Sequence, residues 1–202
     1  PVTFKTSVEM FKQYLSVIVV SAFAFVGATY FYFQLHKTFQ IGFMIMAGLV
    51  CIYPYVRKYG IAKIIVVSFC VTAITAYLPV LSVKPITDET YLFVLQRFII
   101  VICLLIPVEI LDLKTDDKCL QTLPQKIGVK NTKIVGLLFL IFFVGLEFLK
   151  KSIDIINILI VIIVALFIIF SSQKRSIYYS NFWVESIPIL WFVLEFLMFN
   201  NQ

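Results

Sequence analysis

The stretch Tyr91-Leu-Phe-Val-Leu-Gln-Arg97-Phe-Ile-Ile-Val-Ile-Cys103-Leu-Leu-Ile-Pro-Val-Glu109-Ile-Leu111 decides the fold. Wound as a helix at 1.5 Å per residue, it covers about 30 Å, the thickness of a bilayer's hydrocarbon core. No water is available there to satisfy backbone N–H and C=O groups, so a lone apolar segment crosses only as a helix. Six further stretches read the same way: Tyr14–Phe33, Phe39–Val56, Ile61–Val83, Ile134–Leu149, Ile153–Ser171 and Phe182–Asn200. The expected architecture is all-α, a polytopic membrane helical bundle with seven transmembrane helices in view, forming one transmembrane domain over residues 1–202. Composition agrees, with 61% apolar and 14% charged residues and a mean hydropathy of +1.01. Soluble domains carry roughly 45–50% apolar and about 25% charged residues, which excludes a soluble globule, a disordered chain and a nucleic-acid arm. Cys51, Cys70, Cys103 and Cys119 contain no C-x-x-C pair and supply neither a disulfide framework nor a zinc site.

Orientation follows from the basic residues, which stay on the cytoplasmic side of short loops. One side of the seven-span arrangement holds Lys5, Lys12, Arg57, Lys58, Lys63, Lys114, Lys118, Lys126, Lys130, Lys133, Lys174 and Arg175; the other holds Lys37, Lys84, Lys150 and Lys151. The side with twelve is expected to face the cytoplasm, which puts the C-terminus outside. The net charge of +6 is first a topology signal and a contact with anionic lipid heads. The bilayer is therefore a partner, and nucleic acid is not.

At the inner end of the fourth span, Glu109, Asp112 and Asp116 follow one another at intervals of three and four residues, which places them on one helix face. Like charges so close repel, and ionisable groups at this depth need a cation or a water-filled cavity. One solution is Mg²⁺, which takes one or two carboxylates and completes its octahedron with water and phosphate oxygens. The other is a solvated helix end whose carboxylates face water, Lys114 and Lys118.

The run Glu109-Ile-Leu-Asp112-Leu-Lys-Thr-Asp116-Asp117-Lys118-Cys-Leu-Gln-Thr122-Leu123-Pro124-Gln-Lys-Ile-Gly128 resembles the second aspartate-rich motif of the UbiA-type intramembrane prenyltransferase family. That motif is D-x-x-D-x-x-x-D followed by T-L-P and Gly. Glu109 stands where the family's first Asp is usual, and the five residues between Asp116 and Thr122 lack the family's Gly. A second fragment, Tyr53-Pro-Tyr-Val-Arg57-Lys58, resembles the family's Y-x-x-x-K element, with Arg57 in place of Lys. Locally, Thr122 can cap a short helix that Pro124 starts and Gly128 stops, with Asn131 or Thr132 capping the fifth span. Residues 112–133 are thus expected to form a cytoplasmic lid loop over the acidic stripe.

The resemblance implies a bundle of nine helices, with two helices and a first aspartate motif upstream of Pro1. It implies Mg²⁺-dependent transfer of an isoprenyl group from a prenyl diphosphate to a lipophilic acceptor, in a bacterial cytoplasmic membrane. Asp112 and Asp116 become the catalytic residues, and Glu109, Asp112 and Asp116 the metal ligands. Tyr53, Arg57, Lys58, Asp117 and Lys118 become substrate-binding residues. With one acidic motif in view, the chain as given is expected to be inactive. Two other readings compete: a non-catalytic relative that binds an isoprenoid without turning it over, and a small transporter with an ion site at the stripe.

Other residues carry structural expectations. Arg97 lies about six residues inside the outer end of its span, level with Glu147 and Glu195, and should pair with one of them. Glu185 is expected as a hydrogen-bonded structural carboxyl and His36 as a solvated turn residue.

Overall fold

The computed structural model describes residues 2–56, 60–83, 87–116, 120–176 and 178–199. Helix α1 covers Val2–Gln34 and α2 covers Lys37–Val56. Helix α3, Gly60–Thr72, runs through a π-helical turn, Ala73–Tyr77, into α4, Leu78–Val83. Then come α5 (Asp88–Asp112), α6 (Leu123–Glu147), α7 (Ile155–Phe170), a second π-helical segment (Tyr179–Val184) and α8 (Ile187–Phe199). With α3, the turn and α4 counted as one rod, seven helical rods stand among the described residues, in line with the helical bundle expected from hydropathy.

Five rods contain a segment long and apolar enough to cross a membrane: Val17–Gln34, Lys37–Val56, Gly60–Leu81, Asp88–Asp112 and Leu123–Glu147. The chain is thus an integral membrane protein by the length and composition of its helices. Helix α7 is a shorter apolar helix of 16 residues, and α8 has 13.

The chain divides into two compact units, Pro1–Ile45 and Met46–Gln202. In the first, the corner between α1 and α2 is tied by Gln40, whose Nε2 donates to the carbonyls of Tyr32 (3.2 Å) and Leu35 (3.0 Å). The Tyr32 hydroxyl donates back to the Gln40 carbonyl at 3.1 Å. His36 is an exposed turn residue, as expected, with Nδ1 3.3 Å from Thr38 Oγ1.

In the second unit α5 is central. It buries Ile99, Cys103, Ile106 and Ile110, a helical repeat, against Leu140 and Phe143 of α6 and Ile160, Val164 and Ile168 of α7. Between membrane helices the attraction is close packing rather than exclusion of water, so small residues matter. A Cβ on Gly136 would fall 2.7 Å from Ile106 Cδ1 and 3.1 Å from Ile168 Cδ1, so glycine sets the distance among α5, α6 and α7.

Helix α6 begins eleven residues before the span expected from Ile134. Thr122 is its N-cap, and Gln125 Oε1 accepts from the Thr122 N–H at 3.1 Å. Gly128, at φ 80° and ψ 156°, breaks the helix, so its first turns form the short helix expected between Pro124 and Gly128. That backbone region is open essentially to glycine alone. Asn131 and Thr132 do not accept at a helix start; they donate to the carbonyls of Ile127 (2.9 Å) and Gly128 (2.9 Å), covering groups freed by the break. Of the segment 112–133, residues 113–116 form turns after α5 and Gln121 and Thr122 are non-helical.

Candidate functional site

The acidic stripe sits where α5 ends. Glu109 and Asp112 share its last turn, and the helical path continues far enough for the Asp116 N–H to donate to the Asp112 carbonyl at 2.8 Å. Thr115 adds its N–H (2.9 Å) and hydroxyl (3.2 Å) to the same carbonyl. Backbone bonding therefore keeps Asp116 beside the two carboxylates before it.

Opposite them stands Lys63, in the first turn of α3. Its Nζ lies 2.6 Å from Glu109 Oε1 and 3.8 Å from Asp112 Oδ2. Glu109 is 2% exposed, and its second oxygen, Oε2, has no hydrogen-bond partner; nor has the buried Oδ2 of Asp116. Among the described residues, one ammonium thus stands at a row of three carboxylates, two of which keep a buried oxygen with unused lone pairs.

The main chain at Leu120 and Gln121 approaches the start of α3 closely. A Cβ on Gly60 would overlap the main chain of Leu120 and Gln121, so only glycine lets the start of α3 pass beneath it. Gln121 itself has φ 50°, the left-handed region.

Among the described residues, no group of three His, Cys, Asp or Glu side chains is arranged to hold a metal ion. The three expected ligands lie along one face but do not form a closed cage. The unpaired oxygens fit the looser mode in which Mg²⁺ takes one or two carboxylates and fills the rest of its shell with water and phosphate.

Of the expected substrate-binding residues, Arg57, Lys58, Asp117 and Lys118 lie outside the described residues. Tyr53 is half-buried and lines an apolar cavity of about 300 Å³ with Val66, Val67 and Cys70. Sequence reasoning missed Lys63, which it counted only as a topology charge. The available signal was a single cation one turn inside the apolar run Ile61–Val71, a position that calls for an acidic partner.

A second charged cluster occupies the other end of α5. Arg97 pairs with Glu195 (3.1 Å) and stacks on Trp191, 3.5 Å from its ring centroid, and on Phe93 at 4.9 Å. Between the two acidic candidates, the pairing therefore falls to Glu195. Glu147, 1% exposed, instead accepts from Gln96 Nε2 (2.7 Å), Lys150 Nζ (2.9 Å), Asn157 Nδ2 (3.2 Å) and the Asp154 N–H (3.0 Å). This network joins α5, α6 and α7 and leaves neither Glu147 oxygen free. Glu185 is exposed, where a bonded structural carboxyl was expected.

Comparison with known protein families, curated proteins and solved structures finds no match to this chain.

Proposed function

We propose that the chain is a membrane prenyltransferase homologue whose acidic end of α5 binds the diphosphate of a prenyl donor through Mg²⁺. The observation that supports this most is the row of three carboxylates met, among the described residues, by one lysine, two of them with a buried oxygen lacking a partner. In this reading Asp112 and Asp116 hold the metal and Glu109 orients its water ligands. Lys63, released in part from Glu109, donates to a phosphate oxygen, as do Arg57, Lys58 and Lys118. When bound, Mg²⁺ supplies neutralisation of the charge that develops on the departing diphosphate. The chain leading into α6 at Leu120 and Gln121 helps exclude water from the allylic carbon while it gains cation character. The prenyl chain extends among the apolar helices toward a lipophilic acceptor, and the acidic end faces the cytoplasm of a bacterial inner membrane.

The 2.6 Å contact between Lys63 and Glu109 favours a second reading, in which lysine takes the place of a metal and the protein binds an isoprenoid without reacting it. Binding of a prenyl diphosphate to the full chain in detergent, with Mg²⁺ or with EDTA, separates the two. Mg²⁺-dependent binding lost in Asp112→Asn and Asp116→Asn supports the enzyme homologue; binding indifferent to Mg²⁺ and to both substitutions supports the non-catalytic binder.

A further inference from the structure

The last turn of α7 is closed by side chains, and two of them are cations. The Phe167 carbonyl accepts from the Tyr179 hydroxyl (2.7 Å), and the Ile168 carbonyl from the Ser171 N–H (3.3 Å) and hydroxyl (2.7 Å). The Ile169 carbonyl accepts from Lys133 Nζ at 2.8 Å, and the Phe170 carbonyl from Arg175 Nε at 3.4 Å. Cations at a helix C-terminus offset the negative end of its dipole. That role occupies one donor of each side chain, whereas lysine has three N–H donors and arginine five. Among the described residues no carboxylate pairs with Lys133, Lys174 or Arg175; the ion pairs lie elsewhere.

Arg175 is held from a second side. Its guanidinium lies over the Tyr179 ring, 5.6 Å from the centroid, and that ring leans on Phe167 at 5.4 Å. Arg175 and Tyr179 close one end of an open groove of about 330 Å³, floored by Ile163, Leu166, Phe167 and Phe170. These four follow at helical intervals and form a strip along one face of α7, about 10 Å long at 1.5 Å per residue. Leu166 and Phe170 are exposed, so the strip faces away from the bundle. Within α7 only Asn157 is polar, and Lys174 and Arg175 follow directly after the apolar run ends.

An apolar strip that ends in cations without carboxylate partners is complementary to an acyl chain joined to a phosphate. We infer that this groove binds an anionic phospholipid, its chain along the α7 strip and its phosphate bonded to Arg175 and Lys133. The carbonyls these two cations hold belong to consecutive residues, so one phosphate group meets both. The guanidinium N–H groups not used on Phe170 suit two phosphate oxygens at once. Lys174, exposed beside Arg175, adds attraction at longer range. A zwitterionic head brings its own ammonium and gains less from these charges, and a phosphate ester without chains leaves the strip uncovered.

The test uses the full chain in detergent, without Mg²⁺ or prenyl diphosphate, and compares equilibrium binding of radiolabelled phosphatidylglycerol and phosphatidylcholine with identical chains. A basic residue at a membrane surface contributes roughly fivefold in affinity for anionic lipid. The wild type should therefore prefer phosphatidylglycerol at least fivefold, and Arg175→Gln should lower that preference roughly fivefold. Lys133→Gln, on a different helix, should do the same. Lys126→Gln removes an equal charge from an exposed position earlier in α6 and should leave the preference unchanged. Leu166→Trp crowds the strip from an exposed position and should weaken binding of both lipids. Glycerol 3-phosphate, a headgroup without chains, should not displace the lipid at equal concentration. No preference in the wild type, a preference that survives both Arg175→Gln and Lys133→Gln, an equal loss in Lys126→Gln, indifference to Leu166→Trp, or displacement by glycerol 3-phosphate overturns the proposal. None of these results bears on diphosphate binding at the acidic end.

Discussion

Lys63 and Glu109 are 2.6 Å apart across the seam between α3 and α5, and both are mostly shielded, with side chains 18% and 3% exposed. In so dry a setting each charge depends on the other, because removal of one partner leaves the other ionised without compensation. The pair therefore ties the start of α3 to the end of α5 whatever else the acidic end binds.

Lys63→Met is expected to destabilise the protein by about 3 kcal/mol, the low end for a broken buried pair because Lys63 keeps some contact with water. Lys63→Met combined with Glu109→Leu should recover most of that loss. Unfolding in detergent, followed by circular dichroism, measures both; a double variant no more stable than the single one would show that the two charges are not coupled.

Gly128 and Gly60 should fail in different ways when substituted. Gly128→Ala forces a Cβ onto a backbone at φ 80° and ψ 156°, at a cost of about 1–3 kcal/mol. Gly60→Ala pushes against the main chain at 120–121 and should raise amide exchange around Thr122 while sparing α7. Hydrogen exchange read by mass spectrometry resolves the two patterns.

At the opposite end of α5, the stack should outweigh the ion pair. Trp191 is 4% exposed and packs on Arg97 and Phe143, so Trp191→Ala is expected to cost about 3–5 kcal/mol. Glu195 is 40% exposed on its side chain, so Glu195→Gln should cost less than about 1 kcal/mol. Equal losses for the two would contradict this ordering.

Much of the fold is legible from hydropathy alone, since a run such as Tyr91–Leu111 has one physical solution in a bilayer. The short helix between Pro124 and Gly128 is legible as well, because a cap, a proline and a glycine each act through local backbone geometry. The early start of α6 is not, because side chains of Asn131 and Thr132 bridge the break rather than begin a new helix. Of the candidate site, the carboxylate face follows from helical spacing. Lys63 follows only in part: a cation inside an apolar run calls for an acidic partner, but which carboxylates it meets depends on which helix packs against α5, a tertiary fact.

The central claim, that the carboxylates at the end of α5 hold a divalent cation against a diphosphate, is tested most directly by paramagnetic resonance of Mn²⁺ supplied in place of Mg²⁺. The account predicts bound Mn²⁺ at the wild-type chain when a prenyl diphosphate is present, and its loss in Asp112→Asn and in Asp116→Asn. Mn²⁺ that stays free in solution with the wild type, or binds equally well to both variants, would contradict it.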